Sequence, residues 1–209
     1  MPRKIDYEAK YKAMSAYEDM LRESGVQWIA GIDEAGRGPL AGPVVAAAVI
    51  LDPKQPVYGV DDSKKLSPKR RAALKLEIEQ KAIAIGVGIV DVETIDRINI
   101  LQATKQAMRE AIAKLSPAPE HLLLGAVTLE GLKIKQQGII KGDALSVSIA
   151  AASIIAKETR DDMMRAYDQL YPQYGFASHK GYGTKAHIEA IRTYGVLPIH
   201  RRSFLTKIL

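Results

Sequence analysis

The amino-acid sequence predicts an α/β fold in which a mixed sheet is flanked by helices. Short runs rich in β-branched residues alternate along the chain with longer segments of helical periodicity. The first two apolar runs, residues 27–33 and 44–51, are separated by a connection short enough for an antiparallel pair. Because the first pair is a hairpin while the later strands alternate with helices, we expect both kinds of strand pairing in one sheet.

Length and composition indicate one soluble domain. The chain has 209 residues, 47% hydrophobic and 26% charged, so a single domain over residues 1–209 can bury a full core. No apolar run approaches the roughly 18 residues of a membrane span, and the polar N-terminus lacks a signal-peptide core. The absence of cysteine excludes disulfides and thiolate metal sites and fits a reducing compartment. We expect a cytoplasmic monomer with no membrane partner.

Several segments have the apolar periodicity of helices. Residues 6–24 are expected to form one amphipathic N-terminal helix that ends at Gly25. Ser67 followed by Pro68 predicts another helix start, because serine caps a first turn and proline is tolerated at its first position. Further helices are expected at residues 93–115 (as one or two helices), 146–170 and 185–194.

The remaining segments are expected to be strands and loops. Residues 83–90 are rich in β-branched side chains and predict a strand. Residues 121–127 predict a short buried strand with a glycine inside it, and residues 128–138 resemble a loop. From about residue 174 to 209 we expect a C-terminal helical segment whose basic tail begins at His200.

An acidic pair ends the first strand. Asp33 and Glu34 are followed by residues 36–43, which we call the glycine loop. Adjacent strand residues point to opposite faces, so the pair can share one ion only where the strand is ending or twisting. Glycines allow backbone N–H groups to approach a ligand closely. The pattern predicts a hard-metal site beside a phosphate or sugar contact; the alternative is a Gly/Pro-rich connection with a solvated acidic pair.

A third carboxylate, Asp143, also follows a short apolar approach and a glycine. The chain has no cysteine and no histidine pair at His-x3-His spacing. Oxygen ligands without nitrogen or sulfur ligands indicate Mg²⁺ or Mn²⁺, not zinc. A divalent ion held by carboxylates and open to water suits the attack of water on a phosphodiester.

Basic residues are concentrated in loops, and the net charge is +6. Basic loops suit a polyanion, although a lysine-rich surface without a ligand is the alternative. The aromatic Tyr182 lies in such a loop and can stack on a base or sugar, or cap the core. His179 is expected to be solvated. The basic positions are Lys64, Lys65, Lys69, Arg70, Arg71, Lys180, Lys185, His200, Arg201 and Arg202.

Five co-linear motifs carry a resemblance to a known family. They are GIDEAGRGPLAGPV at 31–44, DDSKKLS at 61–67, KGDALSVSIAAASIIAK at 141–157, YGFASHKGYGT at 174–184 and HRRSF at 200–204. Together they resemble type 2 ribonuclease H, the bacterial ribonuclease HII. The resemblance implies a ribonuclease H-like fold with a five-stranded mixed sheet flanked by helices and a C-terminal helical segment.

The resemblance also implies an activity. It implies a Mg²⁺- or Mn²⁺-dependent endonuclease that cleaves the RNA strand of RNA–DNA hybrids and single ribonucleotides embedded in duplex DNA. The products carry a 3′-hydroxyl and a 5′-phosphate. Asp33, Glu34 and Asp143 match catalytic carboxylates that bind the metal.

Substrate contacts follow from the same resemblance. Gly36, Arg37 and Gly38 match a loop that reads the ribose 2′-hydroxyl, the group that distinguishes RNA from DNA. Tyr182 matches a tyrosine that packs on the deoxyribose after the ribonucleotide. Lys64 is expected to bind phosphates, although its segment can also be a polar lead-in to the next helix.

One position departs from the family pattern. The family carries four catalytic carboxylates, and the remaining one is expected about eighteen residues before Asp143, where this sequence has Gly125. Loss of supporting residues alone typically costs about 10–100-fold in metal affinity or activity. We therefore expect impaired or absent cleavage with retained folding and hybrid binding, unless Glu130 or a water replaces the missing group. The alternative function is a catalytically inactive RNA–DNA hybrid or junction binder.

Overall fold

The computed structural model describes residues 6–125 and 127–206. Its strands are β1 (Ile29–Ala35), β2 (Val44–Leu51), β3 (Ala82–Val90), β4 (His121–Leu124) and β5 (Lys135–Gly138). They form one five-stranded sheet in the order β3-β2-β1-β4-β5. β2 pairs antiparallel with both β1 and β3, whereas β4 pairs parallel with both β1 and β5. The mixed sheet predicted from the sequence is confirmed.

The helices flank this sheet on both faces. Within the described residues, none of them combines the length and the apolar character that a membrane span needs. They are α1 (Tyr7–Met14), α2 (Ala16–Glu23), α3 (Pro68–Lys81), α4 (Val92–Ile98), α5 (Ile100–Ala113), α6 (Gly142–Leu145), α7 (Val147–Leu170), α8 (Phe176–His179), α9 (Lys185–Tyr194) and α10 (Arg202–Leu205).

The prediction of one N-terminal helix over residues 6–24 is wrong. The helix is interrupted at Ser15, whose hydroxyl donates to the carbonyl of Tyr11 at 2.9 Å. The N–H of Ser15 donates to the same carbonyl, also at 2.9 Å, so Ser15 ends the first helix with two hydrogen bonds to Tyr11. The second helix stops at Glu23, and Gly25 then adopts the left-handed conformation with φ of 91°.

Two further boundaries depend on single residues. Ser67 caps α3 by accepting from the N–H of Arg70 at 3.3 Å, as the Ser-Pro pair predicted. Asn99, with φ of 68°, separates α4 from α5 and caps the latter. The predicted helical region over 93–115 therefore contains two helices.

The prediction that residues 128–138 form only a loop is wrong. Residues 135–138 form β5, which pairs with β4 at the edge of the sheet. Its sequence, Lys-Gln-Gln-Gly, carries no apolar or β-branched residue, so local propensity gave no strand signal. The parallel partner determines this strand.

The core lies on both faces of β2, which is buried along its whole length. Val45, Ala47 and Val49 pack in a cluster with apolar residues of α7, while Ala46 and Ala48 pack on the opposite face with those of α5. The strand therefore forms the middle layer between two helices.

Helix α7 lies unusually close to β1. A Cβ at Gly31 would lie only 2.1 Å from the carbonyl carbon of Ser148 on α7. Glycine at this position permits the close approach. As a result, the face of α7 that follows Ser148 lies beside the end of β1, where the acidic pair is located.

Candidate active site

A cleft of about 730 Å³ opens beside the end of β1. It brings together every site residue that the sequence predicted, except the position of Gly125. The residues lining it are Asp33, Glu34, Ala35, Gly36, Arg37, Gly38, Ser63, Lys64, Ile100, Asp143, Ser153, Lys157, Arg160 and Tyr182. They come from β1, the glycine loop, the segment before α3 and the helices α5, α6 and α7, together with the segment after α8.

Asp33 is the most perturbed carboxyl group of the cleft. Burial, followed by the neighbouring charge of Glu34, raises its pKa from 3.8 to about 7. Hydrogen bonds from the main chain of Glu34 and from the side chain of Ser153 oppose this shift. At neutral pH the group is therefore poised between its two protonation states, and a nearby cation would favour the ionised form.

Glu34 lies beside Asp33 but within the same strand. β1 continues to Ala35, and the two acidic residues pair with Ala47 and Ala46 of β2, so their side chains leave opposite faces. Arg37 Nη1 lies 3.3 Å from Glu34 Oε1 and balances its charge. Among the described residues, no group of three or more His, Cys, Asp or Glu is arranged to hold a metal ion.

Asp143 approaches the cleft from the short helix α6. Burial raises its pKa, and the charge of Asp62 raises it further, while Lys64 opposes the shift. Asp62 also accepts from the N–H of Lys64 at 2.9 Å and so orients the segment before α3. Sequence reasoning treated Asp62 only as part of a polar segment and missed its proximity to Asp143.

Gly125 follows β4 directly. The parallel register pairs Ile32 with Leu124, so the next step along both chains sets Gly125 beside Asp33. A Cβ at Gly125 would lie 3.8 Å from Asp33 Oδ1, which is ordinary van der Waals contact. Glu130 does not supply the missing group here, because both of its oxygens accept from Lys105 at 2.7 Å and it does not line the cleft.

The glycine loop and the segment of Tyr182 form one wall of the cleft. The N–H of Leu40 donates to the carbonyl of Gly181 at 2.8 Å and joins the two segments. Gly38 is exposed, and a Cβ there would lie 3.7 Å from Cε1 of Tyr182. The ring of Tyr182 is 44% exposed, so it does not cap the core.

Helix α7 contributes cleft residues that sequence reasoning missed. Ser153, Lys157 and Arg160 recur at intervals of four and three residues, which places them on one helical face. Ser153 Oγ lies 2.8 Å from Ser63 Oγ, and Lys157 Nζ lies 2.6 Å from Asp161 Oδ1. The spacing of these three polar residues was a signal of this helical face that the sequence carries.

Several basic residues expected to face a polyanion are buried instead. Arg71 donates to Glu158 Oε1 at 2.7 Å and to the carbonyl of Leu66 at 2.8 Å. Arg201 is fully buried and His200 is almost fully buried. Charge alone could not distinguish these structural residues from surface ones.

The expectation that His179 is solvated is also wrong. Its ring stacks on that of His187 with centroids 4.4 Å apart, and its Nε2 lies 2.7 Å from the carbonyl of Tyr174. The histidine therefore helps to hold the segment that leads to Tyr182.

Comparison with known proteins gives consistent results. A family model described as Ribonuclease HII matches residues 30–207. Ribonuclease HII of Bacillus cytotoxicus is 59% identical over 195 residues, covering 93% of this chain and 75% of that protein. Ribonuclease HII of Geobacillus thermodenitrificans is 60% identical with the same coverage of 93% and 75%. The crystal structure of ribonuclease H2 from Pyrococcus horikoshii superposes with a TM-score of 0.74 at 27% identity, covering 87% of this chain and 97% of that one.

Proposed function

The chain belongs to the ribonuclease HII family, and we propose that its cleft recognises a ribonucleotide followed by a deoxyribonucleotide in a duplex. The chain is accordingly a ribonuclease HII-like endonuclease, which hydrolyses phosphodiester bonds of RNA. Its substrates are RNA–DNA hybrids and DNA duplexes that contain single ribonucleotides. Cleavage leaves a 3′-hydroxyl and a 5′-phosphate.

One observation carries this proposal: the acidic residues and the glycine loop line the same cleft as Tyr182. The N–H groups of the loop are suited to a ribose 2′-hydroxyl, which both donates and accepts hydrogen bonds. The exposed ring of Tyr182 beside Gly38 is suited to packing on the following sugar. Selection of the ribonucleotide and hydrolysis of its phosphodiester are thus brought to one place.

The basic groups of the cleft support binding of the strand. Both Lys64, which is exposed, and Lys157, which is partly buried, line the cleft. Ammonium groups bind phosphates as point charges without base selectivity. Because the cleft draws on the sheet and on the C-terminal segment, we propose that residues 6–206 work as one domain.

The carboxylates of the cleft are of the chemical type that an oxygen-preferring divalent ion binds, but they are one fewer than the family pattern has. Asp33, Glu34 and Asp143 offer only carboxylate oxygens, which Mg²⁺ and Mn²⁺ prefer. Burial and the charge of Glu34 raise the pKa of Asp33, and a bound cation would offset both effects and favour the ionised carboxylate. When bound, such an ion activates water and neutralises the leaving oxygen. The set lacks an oxygen at residue 125.

Gly125 favours a second candidate function. With no carboxylate beside Asp33, the chain retains the substrate contacts but lacks part of the hydrolytic machinery. We propose that cleavage is strongly impaired in this chain, in the limit leaving an RNA–DNA hybrid or junction binder.

The two candidates differ in one experiment. The protein is incubated with a duplex containing one ribonucleotide, in Mg²⁺ and then in Mn²⁺, beside its Gly125→Asp variant. Cleavage by the variant alone supports an impaired nuclease. If both proteins bind the duplex and neither cleaves it, the result supports the binder. If the proteins neither bind nor cleave the duplex, the result contradicts both candidates.

A further inference from the structure

Two fully buried guanidinium groups lie behind the glycine loop. Arg160 and Arg201 are 1% and 0% exposed. Arg160 donates from Nε to the carbonyl of Pro43 at 3.0 Å and from Nη2 to that of Ala41 at 2.9 Å. From Nη1 it donates to the carbonyl of Lys180 at 3.0 Å. One side chain therefore joins the glycine loop to the segment that carries Tyr182.

Arg201 binds both ends of the same loop. Its Nη2 donates to the carbonyls of Gly36 at 2.6 Å and Gly42 at 2.7 Å, and its Nη1 donates to that of Arg37 at 3.0 Å. Its Nε donates to Gly42 as well, at 3.0 Å. In the described part of the chain, every hydrogen-bond partner of the two guanidiniums is a main-chain carbonyl.

Such an arrangement is costly for stability. Buried charges without a carboxylate partner lose hydration, which main-chain dipoles replace only in part. Burial lowers the pKa of Arg201 to about 9, and the like charge of Arg160 acts in the same direction. Because each guanidinium donates to three main-chain carbonyls, the two arginines fix the geometry of the backbone around them.

That geometry controls the direction of the loop amides. In a trans peptide unit the carbonyl and the following N–H point in opposite directions. Because Arg201 binds the carbonyls of Gly36 and Arg37, the N–H groups of Arg37 and Gly38 point away from it. Among the described residues, neither N–H has a main-chain or side-chain acceptor, and the loop lines the cleft on this stretch.

Gly36 is matched to Arg160 in the same way. A Cβ at Gly36 would lie 2.1 Å from Nε of Arg160, and its φ of 94° is in the left-handed region. Gly36 is buried, unlike the exposed Gly38. Its role is therefore to accept the guanidinium closely, whereas Gly38 faces the cleft beside Tyr182.

We propose that Arg160 and Arg201 are positioning residues that set the ribonucleotide preference of the cleft. Arg201 orients the free N–H groups of the glycine loop, and Arg160 fixes the distance between that loop and Tyr182. This inference rests on the proposed function, since it assumes that the cleft distinguishes a ribonucleotide from a deoxyribonucleotide.

The test uses Arg160→Lys and Arg201→Lys in the full chain. Lysine keeps the charge, but its single nitrogen cannot span the three carbonyls that each guanidinium contacts. The measurement is the affinity for a duplex with a single ribonucleotide divided by the affinity for a duplex of DNA alone. The two duplexes have the same length, and both affinities are measured at the same salt concentration. We expect each variant to lower this ratio about tenfold, the equivalent of one or two lost hydrogen bonds, because affinity for the ribonucleotide duplex falls more than affinity for DNA alone.

Arg165→Lys is the matched control. It lies on the same helix but is exposed, and it pairs with Asp162 at 2.5 Å, outside the cleft. We expect it to keep the ratio of the unmodified chain. If a lysine variant does not fold, Arg160→Gln provides a second test, because its shorter neutral amide removes the buried charge and still cannot span the contacts.

The outcomes separate the two levels of the proposal. A preference in the unmodified chain that survives in the lysine variants overturns the positioning role alone. Equal loss on both duplexes, with the ratio kept, also overturns it, because that result indicates a purely structural role. No preference in the unmodified chain overturns the proposed function, and this inference with it.

Discussion

The Cβ position of residue 125 lies 3.8 Å from Oδ1 of Asp33. This distance is ordinary van der Waals contact, so a Cβ at residue 125 requires no shift of Asp33. The register of β1 and β4 places the side chain of Asp33 and a Cβ at residue 125 on the same face of the sheet. The position beside Asp33 therefore has room for a Cβ, and this chain carries no carboxylate there.

Tyr182→Ala is expected to reduce junction preference more than overall affinity. Stacking of an aromatic ring contributes about 1–3 kcal/mol per contact, and the ring is exposed beside Gly38. The measurement is competition binding between a ribonucleotide-containing duplex and an all-DNA duplex. Tyr194→Ala, at an exposed tyrosine outside the cleft, is the control. Equal losses on the two duplexes for Tyr182→Ala would count against the role of this ring.

Lys64→Ala is expected to weaken binding of all duplexes by a similar factor. Removing one phosphate contact reduces the slope of log K against log salt concentration by about 1. The slope is measured by titration at several salt concentrations. Lys54→Ala removes an exposed lysine that does not line the cleft and should leave the slope unchanged. An unaltered slope in Lys64→Ala would remove this lysine from the interface.

Acid is expected to destabilise the fold through His200. Its Nε2 lies 3.0 Å from Nε2 of His187, and the N–H of Leu197 donates to its Nδ1 at 2.9 Å, so neutral rings satisfy every contact. Burial, followed by the proximity of His187, lowers the pKa of His200 from 6.5 to about 4. The unfolded chain therefore binds the proton first, and stability falls as the pH decreases from about 6.5 to 4.

Urea unfolding at several pH values measures this effect. We expect a loss on the order of 2–3 kcal/mol in the free energy of unfolding across that window. His200→Gln should remove the histidine contribution while leaving that of the carboxylates. A pH dependence identical in the two proteins would show that His200 is not its source.

Gly125→Asp is expected to make stability depend on divalent metal. A further carboxylate beside Asp33 adds to the repulsion that, with burial, already raises the pKa of Asp33 to about 7. In EDTA the variant should therefore have a lower melting temperature than the present chain. Added Mg²⁺ or Mn²⁺ should raise the melting temperature of the variant more than that of the present chain. Gly125→Asn, which has a similar shape without the charge, is the control for the thermal melts. An equal response to metal in all three proteins would contradict a carboxylate cluster at this site.

Much of the fold was predictable because local chemistry determined it. Ser67 and Pro68 begin α3 as expected, and the apolar runs form the antiparallel strands β1, β2 and β3. β5 was not predictable, because its polar residues become a strand only through pairing with β4. Tertiary pairing overrides local propensity at such an edge.

The composition of the candidate site was predictable to a similar extent. The acidic residues, the glycine loop and Tyr182 were found from their local motifs, and they line one cleft. Arg160 and Arg201 were not recognised, because a sequence shows a charge without showing whether it is buried. Asp62 was missed because its proximity to Asp143 arises only from the fold.

We propose that this chain has the binding cleft of a ribonuclease HII and lacks one hydrolytic carboxylate at residue 125. The deciding measurement is the rate at which a duplex with one ribonucleotide is cleaved in Mg²⁺ by the present chain and by Gly125→Asp. The two rates are compared at equal fractions of duplex bound by protein. We expect the aspartate variant to cleave at least about 10–100-fold faster, with Gly125→Asn no faster than the present chain. Equal rates for the present chain and Gly125→Asp would contradict the proposal that a hydrolytic carboxylate is missing at residue 125.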